Sequence, residues 1–121
     1  MVELVKQKIM ETLKRVKDPE IGINVVDLGL IKEVTVDEEH KKIEIRWIPT
    51  SPLCPLVIPI AAAMRYAIMN VFEIGNWDLR ILIDESEPMA SYWNAQLLDA
   101  SFLDKVISRL QETSQIKLFI S

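Results

Sequence analysis

Leu30-Ile31-Lys32-Glu33-Val34-Thr35-Val36, followed after the polar stretch Asp37–Lys42 by Ile43-Glu44-Ile45-Arg46-Trp47-Ile48, decides how this chain folds. Both runs are rich in β-branched and aromatic residues. Leu30, Val34 and Val36 fall on one face of the first run, and Ile43, Ile45 and Trp47 on one face of the second. Two strands with one apolar face each, joined by a charged connection, read as a hairpin.

Upstream, Val2, Val5, Ile9, Leu13 and Val16 recur at three- and four-residue steps, the stripe of an amphipathic helix. Lys14, Arg15 and Lys17 fall in its last turn, where positive charge suits the dipole, and Pro19 stops it. Asp18–Leu30 reads as an ordered loop, its apolar residues alternating with Asn24, Asp27 and two glycines.

Downstream, Leu56–Phe72 is apolar on nearly every side and carries Ala61, Ala62, Ala63 and Ala67, so it reads as a helix central to the core or to an interface. Pro59 lacks an N–H and belongs in its first turn, which starts the regular part near Ile58. Gly75 and Asn76 punctuate, and Trp77, Leu79, Ile81 and Ile83 alternate as a third strand. Asp84–Tyr92 reads as a polar loop. Leu98, Phe102 or Leu103, Val106 and Leu110 form another amphipathic helix, and Ile116–Ile120 suits a short C-terminal strand. The expected fold is α+β, a two-layer domain of order α-β-β-α-β-α with helices packed on a small mixed three-stranded sheet. Crossover logic sets the third strand parallel to the second.

With 121 residues, 50% hydrophobic and 26% charged, the chain is long enough to bury one core without disulfides or metal. Its net charge of −4 argues against a general affinity for nucleic acid or anionic lipid. One cysteine excludes an internal disulfide and any metal site built on paired cysteines within one chain, and fits a reducing compartment. Met1–Lys6 lacks the basic region and apolar run of a signal peptide. The most membrane-like stretch, Ile48–Met64, carries Pro49, Pro52, Pro55 and Pro59 and falls short of the roughly 20 residues a span needs. A soluble protein is expected.

Candidate chemistry concentrates at Thr50-Ser51-Pro52-Leu53-Cys54-Pro55, between a strand and the apolar helix. A thiol just before a helix faces unpaired backbone N–H groups and the positive dipole end. Both favour thiolate and lower the pKa below the free value of about 8.5. Pro55 suits the first helical position. Such a thiolate binds soft metal, carries sulfur or attacks an electrophile. The competing reading is a small buried hydrophobe, and spacing alone leaves both open.

Asp18, Glu20, Asp27, Thr50 and Ser51 are the acidic and hydroxyl residues of a candidate polar setting. Asp18-Pro19-Glu20 reads equally as a helix stop and turn, Asp27 as a brace for the loop at Gly29, and Thr50 and Ser51 as caps. His40, the one histidine, falls in the hairpin turn and reads as solvated, so a Cys–His nucleophilic pair has no evident base. Trp47 and Trp77 read as core and strand residues, Trp93 as cover for a site or an interface. The sequence has no Gly-rich phosphate loop, HExxH or GxSxG.

Asp18-Pro19-Glu20-Ile21, then Asn24-Val25-Val26-Asp27-Leu28-Gly29-Leu30-Ile31, then Thr50 and Cys54-Pro55, together resemble the small SufT/PaaD-like iron–sulfur cluster assembly family. The combination at this spacing is specific, whereas each segment alone is weak. On this resemblance residues 1–121 form a single iron–sulfur assembly-like domain, the likeness strongest over 3–83 and 84–121 a divergent C-terminal extension. Many relatives carry a tryptophan- and proline-rich segment after the third strand. This chain has Asp84-Glu85-Ser86-Glu87-Pro88-Met89 and then Trp93-Asn94.

The resemblance implies a cytoplasmic, non-catalytic factor that matures or delivers iron–sulfur clusters to client apoproteins. Cys54 is the implied metal- or cluster-binding residue, set among Asp18, Glu20, Asp27, Thr50 and Ser51. One thiolate cannot supply the four ligands a cluster takes, so the cluster is expected to be transient and shared, between two chains of a homodimer or with a partner's ligand. The alternative is a metal-free adaptor that recruits clients or assembly machinery through an apolar surface. A thiol enzyme is a third class, and it lacks a base.

Overall fold

A computed structural model of the chain describes residues 2–50, 56–71 and 77–120. The hairpin forms as β1 (Ile31–Asp37) and β2 (Lys42–Trp47), antiparallel, with β3 (Asp78–Ile83) parallel to β2 in the order β1-β2-β3. The α+β class, the mixed three-stranded sheet and the parallel third strand are as expected. Lys41 makes the tight corner of the turn at φ 53°.

Lys32 interrupts the alternation of the first strand, and the ladder answers with a bulge. Ile31 pairs with Trp47 and Glu33 with Arg46, so Lys32 is the extra residue and lies exposed. The bulge shifts the face assignment by one residue. Ile31, not Leu30, joins Val34 and Val36 on the apolar side, while Leu30 is buried just outside the strand. Three cross-strand rows result: Val36-Ile43-Leu79, Val34-Ile45-Ile81 and Ile31-Trp47-Ile83. Trp47 and Ile83 are fully buried and anchor the last row.

Helix α1 (Val2–Leu13) packs on β1 and α2, with Ile9 and Leu13 fully buried. It ends earlier than the apolar stripe suggests. Val16 and Lys17 leave the helix because tertiary partners take their backbone groups. The Val25 N–H donates to the Val16 carbonyl (2.9 Å), and the Lys17 N–H donates to the Phe119 carbonyl (2.7 Å). Lys14, Arg15 and Lys17 therefore lie beyond the helix, not in its last turn.

Helix α2 (Val57–Val71) is the central helix, with Pro59 in its first turn where the missing N–H costs nothing. Ala61, Ala62, Ala63 and Ala67 are buried, and their small side chains let neighbouring elements approach closely. The end expected at Phe72 and the punctuation at Gly75 and Asn76 lie outside the described residues.

The C-terminal third departs most from expectation. Part of the expected loop, with the residues after it, is α3 (Ala90–Leu97), packed on β3. A second helix, α4 (Ala100–Glu112), starts at Asp99, whose side chain accepts the Phe102 N–H (3.0 Å), an N-cap. It buries Leu103, Ile107 and Leu110 against α2 and α3, while Leu98 stays exposed. Ile116–Phe119 is a short helix, α5, and only Ile120 pairs as a strand would, in a single bridge to Val16.

Asn94 closes the free edge of β3. Its Oδ1 accepts the Ile83 N–H (2.7 Å) and its Nδ2 donates to the Ile83 carbonyl (3.0 Å). One amide thus stands in for a missing neighbouring strand.

Candidate functional site

The antiparallel pairing of β1 with β2 determines which segments meet. The Ile48 N–H donates to the Leu30 carbonyl (2.8 Å), so the chain leaving β2 toward Thr50 runs beside the turn that enters β1. The Asp84 N–H donates to the Trp47 carbonyl (2.9 Å), which brings the end of β3 to the same edge. Two parallel strands end there, and α2 begins at Val57 a few residues later. In α/β architectures this carboxyl edge is where ligands commonly bind. Ser51 and Cys54 belong to the connection between β2 and α2 and lie outside the described residues.

Two hydrogen-bonded turns follow one another in the segment that leads into β1. In the first, Asp18 is buried to 2% exposure and organises the four residues that follow. Its Oδ1 accepts the Glu20 N–H (3.0 Å), and its carbonyl accepts the N–H groups of Ile21 (3.1 Å) and Gly22 (2.7 Å). Its own N–H donates to the Ile23 carbonyl (3.1 Å). Gly22 adopts φ 81°, a conformation that costs glycine nothing. Glu20 lies exposed. The turn also holds Ile21 and Ile23 in solvent, 46% and 45% exposed.

In the second turn Asn24 is the organiser. Its Oδ1 accepts the N–H groups of Val26 (3.0 Å) and Asp27 (2.9 Å), and its Nδ2 donates to Asp27 Oδ2 (2.8 Å). Asp27 thus braces the loop, as one of its two readings had it, and Gly29 supplies φ 73° where the chain turns into β1. Asn24 is not among the candidate residues the sequence offers, and its role is to organise this turn. Its signal was there, an Asx residue two before a backbone N–H in a loop that ends in glycine.

Thr50 is exposed, just after the buried Pro49. His40 is exposed in the hairpin turn, with Nδ1 2.8 Å from Asp37 Oδ2. The hydrogen bond from His40 holds the Asp37 carboxyl below its ordinary range. Trp47 is core, and its buried indole N–H finds no acceptor among the described residues. Trp93 packs against the core and meets Tyr92 edge to face, with centroids 4.9 Å apart. Among the described residues no group of three or more His, Cys, Asp or Glu is placed to hold a metal ion. No helix among them is long and apolar enough to cross a membrane.

Helices packed on a mixed three-stranded sheet of order β1-β2-β3 make this an α+β domain. The family model describing iron–sulfur cluster assembly proteins matches residues 6–74, and this chain belongs to that family. It is 34% identical over 82 residues to the Fe-S protein maturation auxiliary factor YitW of Bacillus subtilis, covering 68% of this chain and 79% of YitW. It is 38% identical over 66 residues to an uncharacterized protein of Methanocaldococcus jannaschii, covering 54% of this chain and 68% of that one. Its fold matches that of a DUF59 domain from Bacillus anthracis, with TM-score 0.64 at 24% identity over 82% of this chain and 92% of the other. Iron–sulfur cluster assembly is therefore the process in which the chain takes part.

Proposed function

We propose that the chain is an adaptor in iron–sulfur protein maturation, and that it is not itself an enzyme. In this reading it recruits client apoproteins or assembly machinery through the aliphatic tip Ile21–Ile23, in a cytoplasmic setting. The observation that carries it is the construction of that tip. A buried aspartate and a left-handed glycine are used to hold two isoleucines in water, and a rigid apolar knob loses little entropy on docking.

Each isoleucine is about half exposed, so covering it contributes roughly 1 kcal/mol. Losing both weakens docking about 30-fold. The test is binding of an apo iron–sulfur client, measured by calorimetry, to the wild type, to Ile21→Ser/Ile23→Ser and to Cys54→Ala. The adaptor requires Cys54→Ala to bind as wild type and the double variant to lose affinity. Retained affinity in the double variant, with its fold intact, sinks it.

A second reading is supported by the meeting of the β2 end with the chain entering β1, where the Ile48 N–H donates to the Leu30 carbonyl. In it Cys54 presents a thiolate at the α2 start, with Asp18, Glu20, Asp27, Thr50 and Ser51 as its polar setting. It carries a transient cluster as cargo, completed by a second chain of a homodimer or by a partner's ligand. Anaerobic incubation with iron and sulfide gives a visible absorption band in the wild type that Cys54→Ala lacks. Absence of the band in both, with fold intact, leaves the adaptor.

A further inference from the structure

We propose that the cleft between the carboxyl half of α2 and α5 binds a small organic carboxylate with an apolar body. The cleft encloses about 240 Å³, a fragment-sized volume by comparison with ordinary ligand pockets. Its described lining holds neither Ile21 nor Ile23, and it stands or falls apart from both readings above.

The cleft exists because the C-terminal segment turns into a helix. The Lys17 N–H donates to the Phe119 carbonyl (2.7 Å) and Val16 bridges Ile120, which fastens α5 across the end of α1. Arg15 and Lys117, distant in sequence, therefore line the same space. Ala67, Ile116 and Ile120 supply apolar wall, and Tyr66 and Asn70 supply a phenol and an amide.

Charge decides what enters. The carboxyl end of a helix carries about half a negative charge, and α2 has no basic residue in its own last turn. One cation brought from elsewhere more than compensates it. Lys117 is such a cation, and it enters none of the ion pairs among the described residues. The described lining holds no carboxylate. Tyr66 and Asn70 make no side-chain hydrogen bond among the described residues, so their donors are available. An ammonium, a phenol and an amide over an apolar wall match a carboxylate head on a hydrocarbon body.

The test is a titration of isotope-labelled protein followed by amide NMR shifts, with sodium benzoate, with benzamide, and with a capped peptide carrying one glutamate beside one phenylalanine. Benzoate or the peptide is expected to shift residues 66–70 and 116–120 saturably in the millimolar range, and benzamide is not. Tighter binding of the peptide assigns the carboxylate to a polypeptide, and tighter binding of benzoate assigns it to a free acid. Lys117→Ala, an exposed change that leaves the fold intact by circular dichroism, should weaken binding about tenfold. Tyr66→Phe should weaken it less. Equal shifts with benzamide, no saturable shift with either carboxylate, or undiminished binding in folded Lys117→Ala would each overturn the proposal.

Discussion

Asn94→Ala removes the amide that closes β3, and its cost follows from what is left behind. Ile83 N–H and C=O both lose their partner where the half-buried Asn94 side chain covered them. A typical hydrogen bond contributes about 1 kcal/mol net, and half-burial lets water recover part of the penalty, so two bonds come to about 2 kcal/mol. With an unfolding entropy of about 2.1 cal/mol/K per residue, 121 residues give about 0.25 kcal/mol/K. The melting temperature should therefore fall by about 8 °C. Urea unfolding followed by circular dichroism and thermal melts measure both quantities.

Asn94→Asp sharpens the test. A carboxylate still accepts the Ile83 N–H but faces the Ile83 carbonyl with no proton to donate. Its destabilisation should equal or exceed that of alanine at neutral pH and shrink relative to wild type as the acid protonates below about pH 4. A loss under about 0.5 kcal/mol for Asn94→Ala, or an aspartate penalty indifferent to pH, refutes the strand-mimic account.

Gly29 holds φ 73° with nothing within 4 Å of an added Cβ, so Gly29→Ala should cost about 1 kcal/mol from backbone strain alone. Gly29→Asn should cost less, by urea unfolding. Trp47→Ala should cost about 3–5 kcal/mol, a large part of a small domain's stability, in the same assay. The Asp37 carboxyl lies below its ordinary 3.8 because of the His40 hydrogen bond. His40→Ala should raise it toward 3.8, read from the side-chain carboxyl by NMR. A depressed folded pKa contributes stability that is present above 3.8 and lost as pH falls through the folded value, so the wild-type advantage should vanish in acid.

The acidic turns show how local chemistry can be read without a fold. Asp18, Asn24, Asp27 and Gly29 act within five residues of themselves, through Asx contacts and a positive φ that any neighbours would permit. Their residue types therefore announce the turns. The position of Cys54 relative to Asp18 depends on how the loop, β2 and the start of α2 come together, and no spacing in the sequence encodes that.

The chain's own pattern determined the hairpin, the apolar central helix with its proline in the first turn, and the parallel third strand. Each rests on side-chain periodicity or on a connection long enough to cross over. The tertiary structure alone decided where α1 stops, where Lys32 bulges, and that Ile116–Phe119 coils as a helix. In α1 and the bulge, the deciding backbone groups find partners far away in sequence. Val16 and Lys17 are claimed by Val25 and Phe119, and Ile31 is held in register by Trp47. A hydrogen bond worth about 1 kcal/mol net outweighs a propensity difference of a few tenths. Where such partners come from distant segments, the local pattern yields.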